Sequence, residues 1–300
     1  MTMSEGYVTT DDGLRLFYRR VGERPLTLVL NGIYVVDDFT PLADSRSIVF
    51  FDNRNRGRSD AARDRSQIER GVHHDVDDLD ALRRHFGAAQ VDVIGHSYAG
   101  VTAALFAIKY PAQANRIIQI GPMAPGEPRQ YPPSLSHIDD VFRTVMAGLA
   151  ELMKDPEASV SVEQCRRFWS VVSPIYVTNP ADVTKALKWA RCDQANERNF
   201  WPTWLHHLQP SIHALKLTAA SVAQVRTPVL VIHGRKDRSA PYGGGRDWAA
   251  LLPNARLLTI EDGGHGPWIE APDLVLGAMR TFLDGAWPAA SERLASAEIS

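Results

Sequence analysis

The alternation of short apolar runs with helical patterns constrains the fold of this chain more than any other feature. Up to residue 120, and again from residue 225, mainly apolar runs alternate with segments of helical periodicity. Strands joined in this way by helices form parallel sheets that helices cover on both faces. The sequence therefore predicts an α/β fold with a mostly parallel, doubly wound sheet. Its main predicted strands are residues 26–30, 48–51, 91–94, 117–120, 229–232 and 257–260.

The remaining elements of this core follow from turn signals and helical spacing. Residues 7–10 and 14–21 flank Asp11-Asp12-Gly13, which predicts a hairpin. Val72, Val76, Leu79, Leu82 and Phe86 recur at helical spacing, which predicts a helix over 66–86. Further helices are expected at 98–109, 247–252 and 273–283.

A long helical insertion interrupts the alternation. From residue 122 to residue 224 the chain has proline-punctuated helical patterns, many aromatic residues and no clear strand pattern. We therefore predict a core formed by residues 1–121 and 225–300, with a helical cap (122–224) inserted over the carboxyl edge of the sheet. The final residues, 288–300, are small and polar, and we expect their end to fray.

The segment Gly95-His96-Ser97-Tyr98-Ala99-Gly100 lies between a predicted strand and a predicted helix. A strand that reverses sharply into a helix strains the residue at the corner and requires small neighbours around it. The serine hydroxyl at such a corner is exposed above a helix N-terminus, which favours developing negative charge. Ser97 is therefore the candidate nucleophile, although Ala99 stands where the Gly-x-Ser-x-Gly pattern has its second glycine.

A nucleophilic serine needs a base and an orienting carboxylate, and two later loops supply both residue types. Asp237 follows the predicted strand 229–232, and His265 follows the next strand, 257–260. Carboxyl ends of parallel strands share one edge of a sheet, so these loops are expected beside Ser97. The chain order Ser, Asp, His is the order of α/β-hydrolases.

With these motifs, the chain resembles the α/β-hydrolase superfamily over residues 7–285. The resemblance is carried by Leu30-Asn31-Gly32, by residues 52–59, by the segment around Ser97, and by the Asp237 and His265 loops. It is similar to the capped branch that includes esterases, proline iminopeptidases and lactonases. The resemblance implies Ser97 as nucleophile, His265 as base and Asp237 as its orienting group.

The resemblance also implies an oxyanion hole made by the backbone N–H groups of Ile33 and Tyr98. This chain departs from the family there, because relatives usually have His-Gly where it has Asn31-Gly32. Gly32 still permits a tight turn, so the backbone donors are expected to survive. The chain therefore has asparagine where relatives have a histidine next to the site.

Several other residues have a structural interpretation that competes with a functional one. His73 and His74 with nearby aspartates suggest a metal, but a solvated helix face is the preferred interpretation. Residues 243–245, three glycines, are interpreted as a flexible turn, and Arg54, Arg56 and Arg58 as part of a structural turn. Trp268 is a candidate pocket wall. The aromatics of the cap are expected mainly to form its own core, with some facing Ser97: Phe168, Trp169, Tyr176, Trp189, Phe200, Trp201 and Trp204.

Charge and cysteine content limit the cofactors and partners. With 33 Lys and Arg against 35 Asp and Glu, the net charge of −2 provides no field for nucleic acid or an anionic membrane. Cys165 and Cys192 are too few for a disulfide framework and lack metal-site spacing, so a reducing compartment is expected. Residues 1–12 lack a secretory pattern, and the longest apolar run, 101–108, is short. We predict a cytoplasmic protein without metal or cofactor.

The sequence thus predicts a serine hydrolase acting on a carboxylic ester or related small acyl compound. An aminopeptidase of the proline-iminopeptidase type is the alternative, with Glu163, Asp193 or Glu197 as candidates to bind the substrate amine. A hydrolase-fold ligand receptor and an acyltransferase also remain open. The substrate and the oligomeric state are not determined by the sequence.

Overall fold

The computed structural model describes residues 2–23, 25–126, 129–154 and 161–294, and for Ile33 the backbone only. The strands are β1 (Met3–Thr9), β2 (Arg15–Val21), β3 (Leu26–Val29), β4 (Ser47–Phe51), β5 (Val91–His96), β6 (Ala114–Ile120), β7 (Val229–Gly234) and β8 (Ala255–Ile260). The helices are α1 (Gly32–Phe39), α2 (Val72–His85), α3 (Tyr98–Lys109), α4 (Asp140–Leu152), α5 (Val162–Val172), α6 (Val183–Leu187), α7 (Phe200–Thr203), α8 (Gln209–His213), α9 (Ala219–Val222), α10 (Tyr242–Leu251), α11 (Pro267–Glu270) and α12 (Pro272–Leu283).

In the described residues, these strands form one eight-stranded sheet in the order β1-β2-β4-β3-β5-β6-β7-β8. β1 and β2 pair antiparallel around the predicted hairpin, and β2 pairs antiparallel with β4. Every pairing from β4 to β8 is parallel. The predicted α/β class with a mostly parallel sheet is confirmed, and the parallel strands bring their carboxyl ends to one edge.

Both faces of the sheet are buried, as the apolar strands predict. On β5, Val93 belongs to the apolar core on one face and Ile94 to the core on the other. The first core includes apolar residues of α2, α3 and α10, and the second includes those of α1 and α12. Because neighbouring side chains of a strand point to opposite faces, burial of both requires helices on both sides.

The structure corrects two local interpretations in this core. The face of α2 that was interpreted as solvated is largely buried, since His74, Asp75 and Asp78 are at most 3% exposed. The three glycines at 243–245 lie within the first turns of α10 rather than in a flexible turn ahead of it. A Cβ at Gly245 would approach His233 Nδ1 to 2.3 Å, so glycine permits close packing of this helix on the sheet.

The segment between β6 and β7 has only helices and irregular structure in its described part. It corresponds to the predicted cap, residues 122–224, whose limits as a separate domain remain a prediction. Short helical turns at Ser173–Ile175, Pro180–Asp182 and Glu197–Asn199 connect its helices, and a wider helical turn at Trp204–Leu208 joins α7 to α8.

The two cysteines form a disulfide inside the cap, which disagrees with the reducing compartment expected from their small number. Cys165 of α5 is bonded to Cys192, 27 residues later in the chain. Sequence spacing did not reveal this pair, because the fold of the cap brings the two residues together. The cysteine content therefore no longer supports a reducing compartment, and the cytoplasmic location stays a prediction without that support.

Candidate active site

Ser97 occupies the corner between β5 and α3. Its backbone angles, φ 59° and ψ −126°, are in a region that residues other than glycine rarely adopt. A Cβ at Gly95 would lie 2.1 Å from the carbonyl oxygen of Ala99, so the tight corner requires glycine there. The methyl group of Ala99 is completely buried, which shows that this corner accommodates alanine at the second small position.

Asp237 lies in the turn that follows β7, and four groups surround its carboxylate. Oδ1 accepts hydrogen bonds from the backbone N–H groups of Ser239 and Ala240, each at 2.8 Å. Oδ2 is 2.8 Å from His265 Nδ1 and 3.2 Å from His233 Nε2. Burial opposes ionisation, but the two histidines and these hydrogen bonds outweigh it and hold the pKa of Asp237 well below its usual range. Asp237 is therefore a buried, ionised acceptor.

His265 follows β8 and is completely buried. Its Nδ1 faces Asp237, whereas its Nε2 makes no hydrogen bond within the described part of the chain. Because a carboxylate on Nδ1 fixes the proton on that nitrogen, Nε2 is left as an acceptor.

Backbone contacts bring this pair to the same sheet edge as Ser97. The N–H of Ser97 donates to the carbonyl of Ile120, the residue before Gly121. Gly121 has φ +48°, and a Cβ there would lie 3.1 Å from both Asp237 Oδ2 and His265 Nδ1. Sequence reasoning did not identify Gly121, although a glycine directly after a predicted strand was a visible signal.

The two predicted oxyanion donors belong to the first turns of two helices. Tyr98 is the first residue of α3, and Ile33 is the second residue of α1. Gly32 packs against β4 so closely that a Cβ would lie 2.7 Å from the Cα of Phe50. The unpaired N–H groups of a helix N-terminus provide donors and a partial positive charge at such a position. Their role in binding an oxyanion remains a prediction.

A cavity of about 470 Å³ opens above Ser97, between the sheet edge and the cap. Its polar lining includes Ser97, His96, Asn31, Asp237 and Arg238, and most of the remaining surface is apolar. The guanidinium of Arg238 is paired with Asp139 at 2.7 Å. The seven cap aromatics were expected mainly to form the cap's own core, but all of them line this cavity: Phe168, Trp169, Tyr176, Trp189, Phe200, Trp201 and Trp204.

Trp268, the candidate pocket wall, lies one layer behind the cavity. It is buried, and its ring is 4.8 Å from the ring of His96, 5.3 Å from that of Trp189 and 5.2 Å from that of Phe39. Two of these neighbours, His96 and Trp189, line the cavity, whereas Trp268 does not contribute to the lining that the described residues form. Trp268 therefore supports the wall instead of forming it.

The candidate cap carboxylates are not available in the cavity. Glu163 and Asp193 are exposed at the surface. Glu197 is buried instead, and its carboxylate forms an ion pair with the buried guanidinium of Arg56. Asp237 is the one carboxylate among the described residues that line the cavity.

The arginines of the 52–59 loop have structural partners, in agreement with the preferred interpretation. Arg54 pairs with Asp78 at 2.6 Å and with Asp12 at 2.8 Å, and Arg58 pairs with Asp52 at 3.5 Å. Within the described ranges, no group of three or more His, Cys, Asp and Glu side chains is arranged to hold a metal ion. Nor do these ranges contain a helix with the length and apolar character needed to cross a bilayer.

Comparison with known proteins agrees with the observed fold. The family described as alpha/beta hydrolase fold matches residues 39–272. Proline iminopeptidase PfmaB of Pestalotiopsis fici is 27% identical over 296 residues, covering 91% of this chain and 97% of that protein. The bifunctional esterase/perhydrolase DCH of Acinetobacter calcoaceticus is 25% identical over 285 residues, covering 89% and 95%.

Among solved structures, the esterase EaEST from Exiguobacterium antarcticum superposes with a TM-score of 0.72 at 15% sequence identity. That match covers 94% of this chain and 100% of the esterase. An identity this low supports the fold alone, whereas the family match extends over most of the chain. The chain therefore belongs to the α/β-hydrolase fold family.

Proposed function

We propose that this protein is a serine hydrolase that cleaves neutral carboxylic esters through an acyl-enzyme, with Ser97 as nucleophile. The observation that carries the proposal is the hydrogen bonding of the two ring nitrogens of His265. One ring nitrogen is held by a buried, ionised Asp237, and the other is buried without a partner in the described chain. A strained serine at the same sheet edge is the group that such a base would activate.

The proposed reaction has two halves with the same proton carrier. Ser97 Oγ attacks the ester carbonyl while its proton passes to His265 Nε2, and Asp237 stabilises the resulting imidazolium. The N–H groups of Tyr98 and Ile33 would bind the oxyanion of the tetrahedral intermediate. His265 then gives its proton to the departing alkoxide, which leaves as an alcohol. Water repeats the sequence on the acyl-enzyme, releasing the carboxylic acid and restoring the Ser97 hydroxyl.

The cavity favours an uncharged substrate with apolar groups. Its lining is mainly apolar and aromatic, and burying an unpaired charge in such surroundings is heavily penalised. An aminopeptidase must pair the α-ammonium group of its substrate with a free carboxylate. Glu197 is the buried one of the candidate cap carboxylates, but it does not line the cavity and Arg56 already neutralises it. The cavity therefore supports ester hydrolysis over the aminopeptidase alternative.

Covalent labelling tests the nucleophile directly. We expect a fluorophosphonate to modify wild-type protein once, at Ser97, and Ser97→Ala to remain unlabelled with turnover reduced by roughly 10⁴-fold or more. Ser170→Ala is the matched control, because Ser170 is an exposed residue of the cap helix α5. It should label and turn over like wild type. Labelling of Ser97→Ala at an equal rate would overturn the assignment.

A substrate panel separates the remaining alternatives. We expect p-nitrophenyl butyrate to be hydrolysed faster than a prolyl-arylamide at matched concentration, since amide cleavage additionally requires protonation of the leaving nitrogen. Arylamide turnover at or above ester turnover would favour the aminopeptidase. Predominant formation of a new ester in added alcohol would indicate an acyltransferase. Ligand-dependent shifts in Tm without turnover would indicate a receptor.

A further inference from the structure

Asn31 occupies an unusual backbone conformation immediately before the predicted oxyanion turn. Its φ and ψ are 53° and 38°, in the left-handed region, and the residue is 5% exposed. The N–H of Asn31 donates to Asn53 Oδ1 at 3.0 Å. Asparagine adopts this conformation more readily than most residues other than glycine. The backbone thus leaves the end of β3 and enters α1 through one constrained residue.

Two buried donors converge on the side chain of Asn31. Its Oδ1 accepts a hydrogen bond from Arg56 Nη1 at 3.2 Å and one from the hydroxyl of Tyr98 at 3.0 Å. Tyr98 also carries one of the two predicted oxyanion N–H groups, and the other belongs to Ile33, two residues after Asn31. The Asn31 oxygen therefore links the two segments that would have to be aligned to bind one oxyanion.

Arg56 also contacts residues of the cap. Its Nε is 3.3 Å from Glu197 Oε2, and its Nη2 donates to Glu197 Oε1 and to the hydroxyl of Tyr34. The guanidinium also stacks on Phe200, with its carbon 4.0 Å from the ring centre. Arg56 is 1% exposed and Glu197 is also 1% exposed, so removing either charge leaves the other buried without its partner.

The rest of the Arg56 loop is attached to the same part of the cap. The backbone N–H of Asn196 donates to the carbonyl of Gly57 at 2.9 Å, and its side chain donates to the carbonyl of Ser59 at 2.7 Å. The Asn55 amide donates to Thr203 Oγ1 at 2.7 Å. Arg56 therefore lies where the cap contacts the core, and it contacts Asn31 on the core side.

We propose that Asn31 and Arg56 are positioning residues that align the oxyanion-binding N–H groups. We further propose that this alignment depends on the packing of the cap against the core, because Glu197 of the cap holds Arg56. The inference rests on the proposed ester hydrolysis. When the cap packs on the core, Glu197 fixes the position of Arg56. Arg56 and Tyr98 in turn hold the Asn31 side chain. Asn31 then fixes the turn that contains Gly32 and Ile33. Misplacement of such donors by about 1 Å can reduce the rate by roughly 10²-fold, because catalysis requires donors aimed at the developing charge.

Substitutions at residue 31 test the first link. Asn31→Gly keeps the left-handed backbone accessible but removes the oxygen that Arg56 and Tyr98 contact. We expect its kcat for a p-nitrophenyl ester to fall about 10- to 100-fold, with KM within about threefold of wild type. Affinity for a trifluoromethyl ketone, which forms a tetrahedral oxyanion on the serine, should fall by a similar factor.

Substitutions at Glu197 and Arg56, where the cap contacts the core, test whether the alignment of the N–H groups depends on the cap. Glu197→Gln retains hydrogen-bonding atoms but removes the charge that holds Arg56, and Arg56→Lys cannot reproduce the forked contacts. Both should lower kcat and ketone affinity together, in the same direction as Asn31→Gly. Arg54→Lys is the matched control, because Arg54 is a buried arginine of the same loop that pairs with Asp78 and Asp12 instead. It should lower Tm without changing kcat.

The outcomes distinguish this inference from the proposed function. If wild type is not labelled at Ser97 and hydrolyses no ester, the proposed function fails. If wild type is active but Asn31→Gly and Glu197→Gln change only Tm or KM, with kcat and ketone affinity unchanged, the positioning role is wrong. Should Glu197→Gln not fold, Tyr98→Phe removes the second donor to Asn31 without leaving a buried charge, and its kcat and ketone affinity decide the same question.

Discussion

The carboxyl group of Asp75 lies on the buried face of α2, close to Asn53, Arg54 and Arg56 of the 52–59 loop. It is 2% exposed, and its Oδ2 has no hydrogen-bond partner among the described residues. Burial, reinforced by the negative charge of Asp78, raises its pKa from the usual 3.8 to about 7, although the side chains of Arg54, Asn53 and Arg56 partly oppose this. Replacing Asp75 with the isosteric, uncharged asparagine therefore tests whether this site disfavours a charge.

The sign of the effect follows from proton binding. Between pH values near the usual pKa and the raised one, folded Asp75 retains a proton that the unfolded chain has lost. The free energy of unfolding of the wild type therefore decreases as pH rises through this window and levels off above about 7. A shift of roughly three units corresponds to about 4 kcal/mol at 1.36 kcal/mol per unit. Asp75→Asn cannot ionise, so its stability relative to wild type should increase by up to that amount.

Urea denaturation of both proteins at a series of pH values from about 4.5 to 8.5 measures this difference. Asp77→Asn, on the same helix, is the control, and it is expected to change the stability in the opposite direction. Burial favours the neutral form of Asp77, but hydrogen bonds from Lys109, Tyr110 and Arg70 outweigh it and lower the pKa. Its stabilising contribution is present above the usual pKa and is lost in acid, so Asp77→Asn should be less stable than wild type at neutral pH. If the curves of wild type and Asp75→Asn run parallel at every pH, the reasoning about Asp75 is refuted.

Three further predictions concern the cap and the site. Replacing both Cys165 and Cys192 with alanine should destabilise the oxidised protein by about 3.5 kcal/mol, because their disulfide closes a loop between residues 27 positions apart. Thiol titration of denatured wild type should find no free thiol without reductant, and two free thiols would contradict the bond. Gly121→Ala should reduce kcat about 10- to 100-fold by crowding Asp237 and His265, whereas Gly13→Ala has the same positive-φ strain with no atom within 4 Å of the new Cβ and should keep wild-type kcat. Asp237→Asn should lower kcat by roughly 10⁴-fold with Ser97 still in place, and an unchanged kcat would remove Asp237 from the proposed mechanism.

The sequence alone predicts the sheet and the positions of the candidate site residues. Apolar runs and helical spacing are local patterns, and they place β5, α3 and the loops after β7 and β8 correctly to within a few residues. Ser97, Asp237 and His265 each follow a strand, and parallel strands end at one edge whatever fills the core. Their approach to a common edge could therefore be inferred without coordinates.

Only the tertiary structure decides what lies opposite each residue. His74, Asp75 and Asp78 resemble a solvated face in sequence, but Arg54 and the 52–59 loop cover that side of α2. No local pattern indicates that Cys165 and Cys192 are paired, because the fold of the cap brings them together. The cap aromatics line the cavity, and Trp268 supports the wall from behind, because the path of the inserted cap over the sheet edge determines which side chains face it.

The Arg56–Glu197 pair shows the physical reason most directly. The two residues are 141 positions apart, and each has the sequence context of an exposed surface charge. No periodicity connects them, since their contact requires the folded cap to pack on the 52–59 loop and exclude water from both groups. Local pattern fixes where an element begins and which face is apolar, whereas burial and charge pairing depend on contacts between segments that are far apart in the chain.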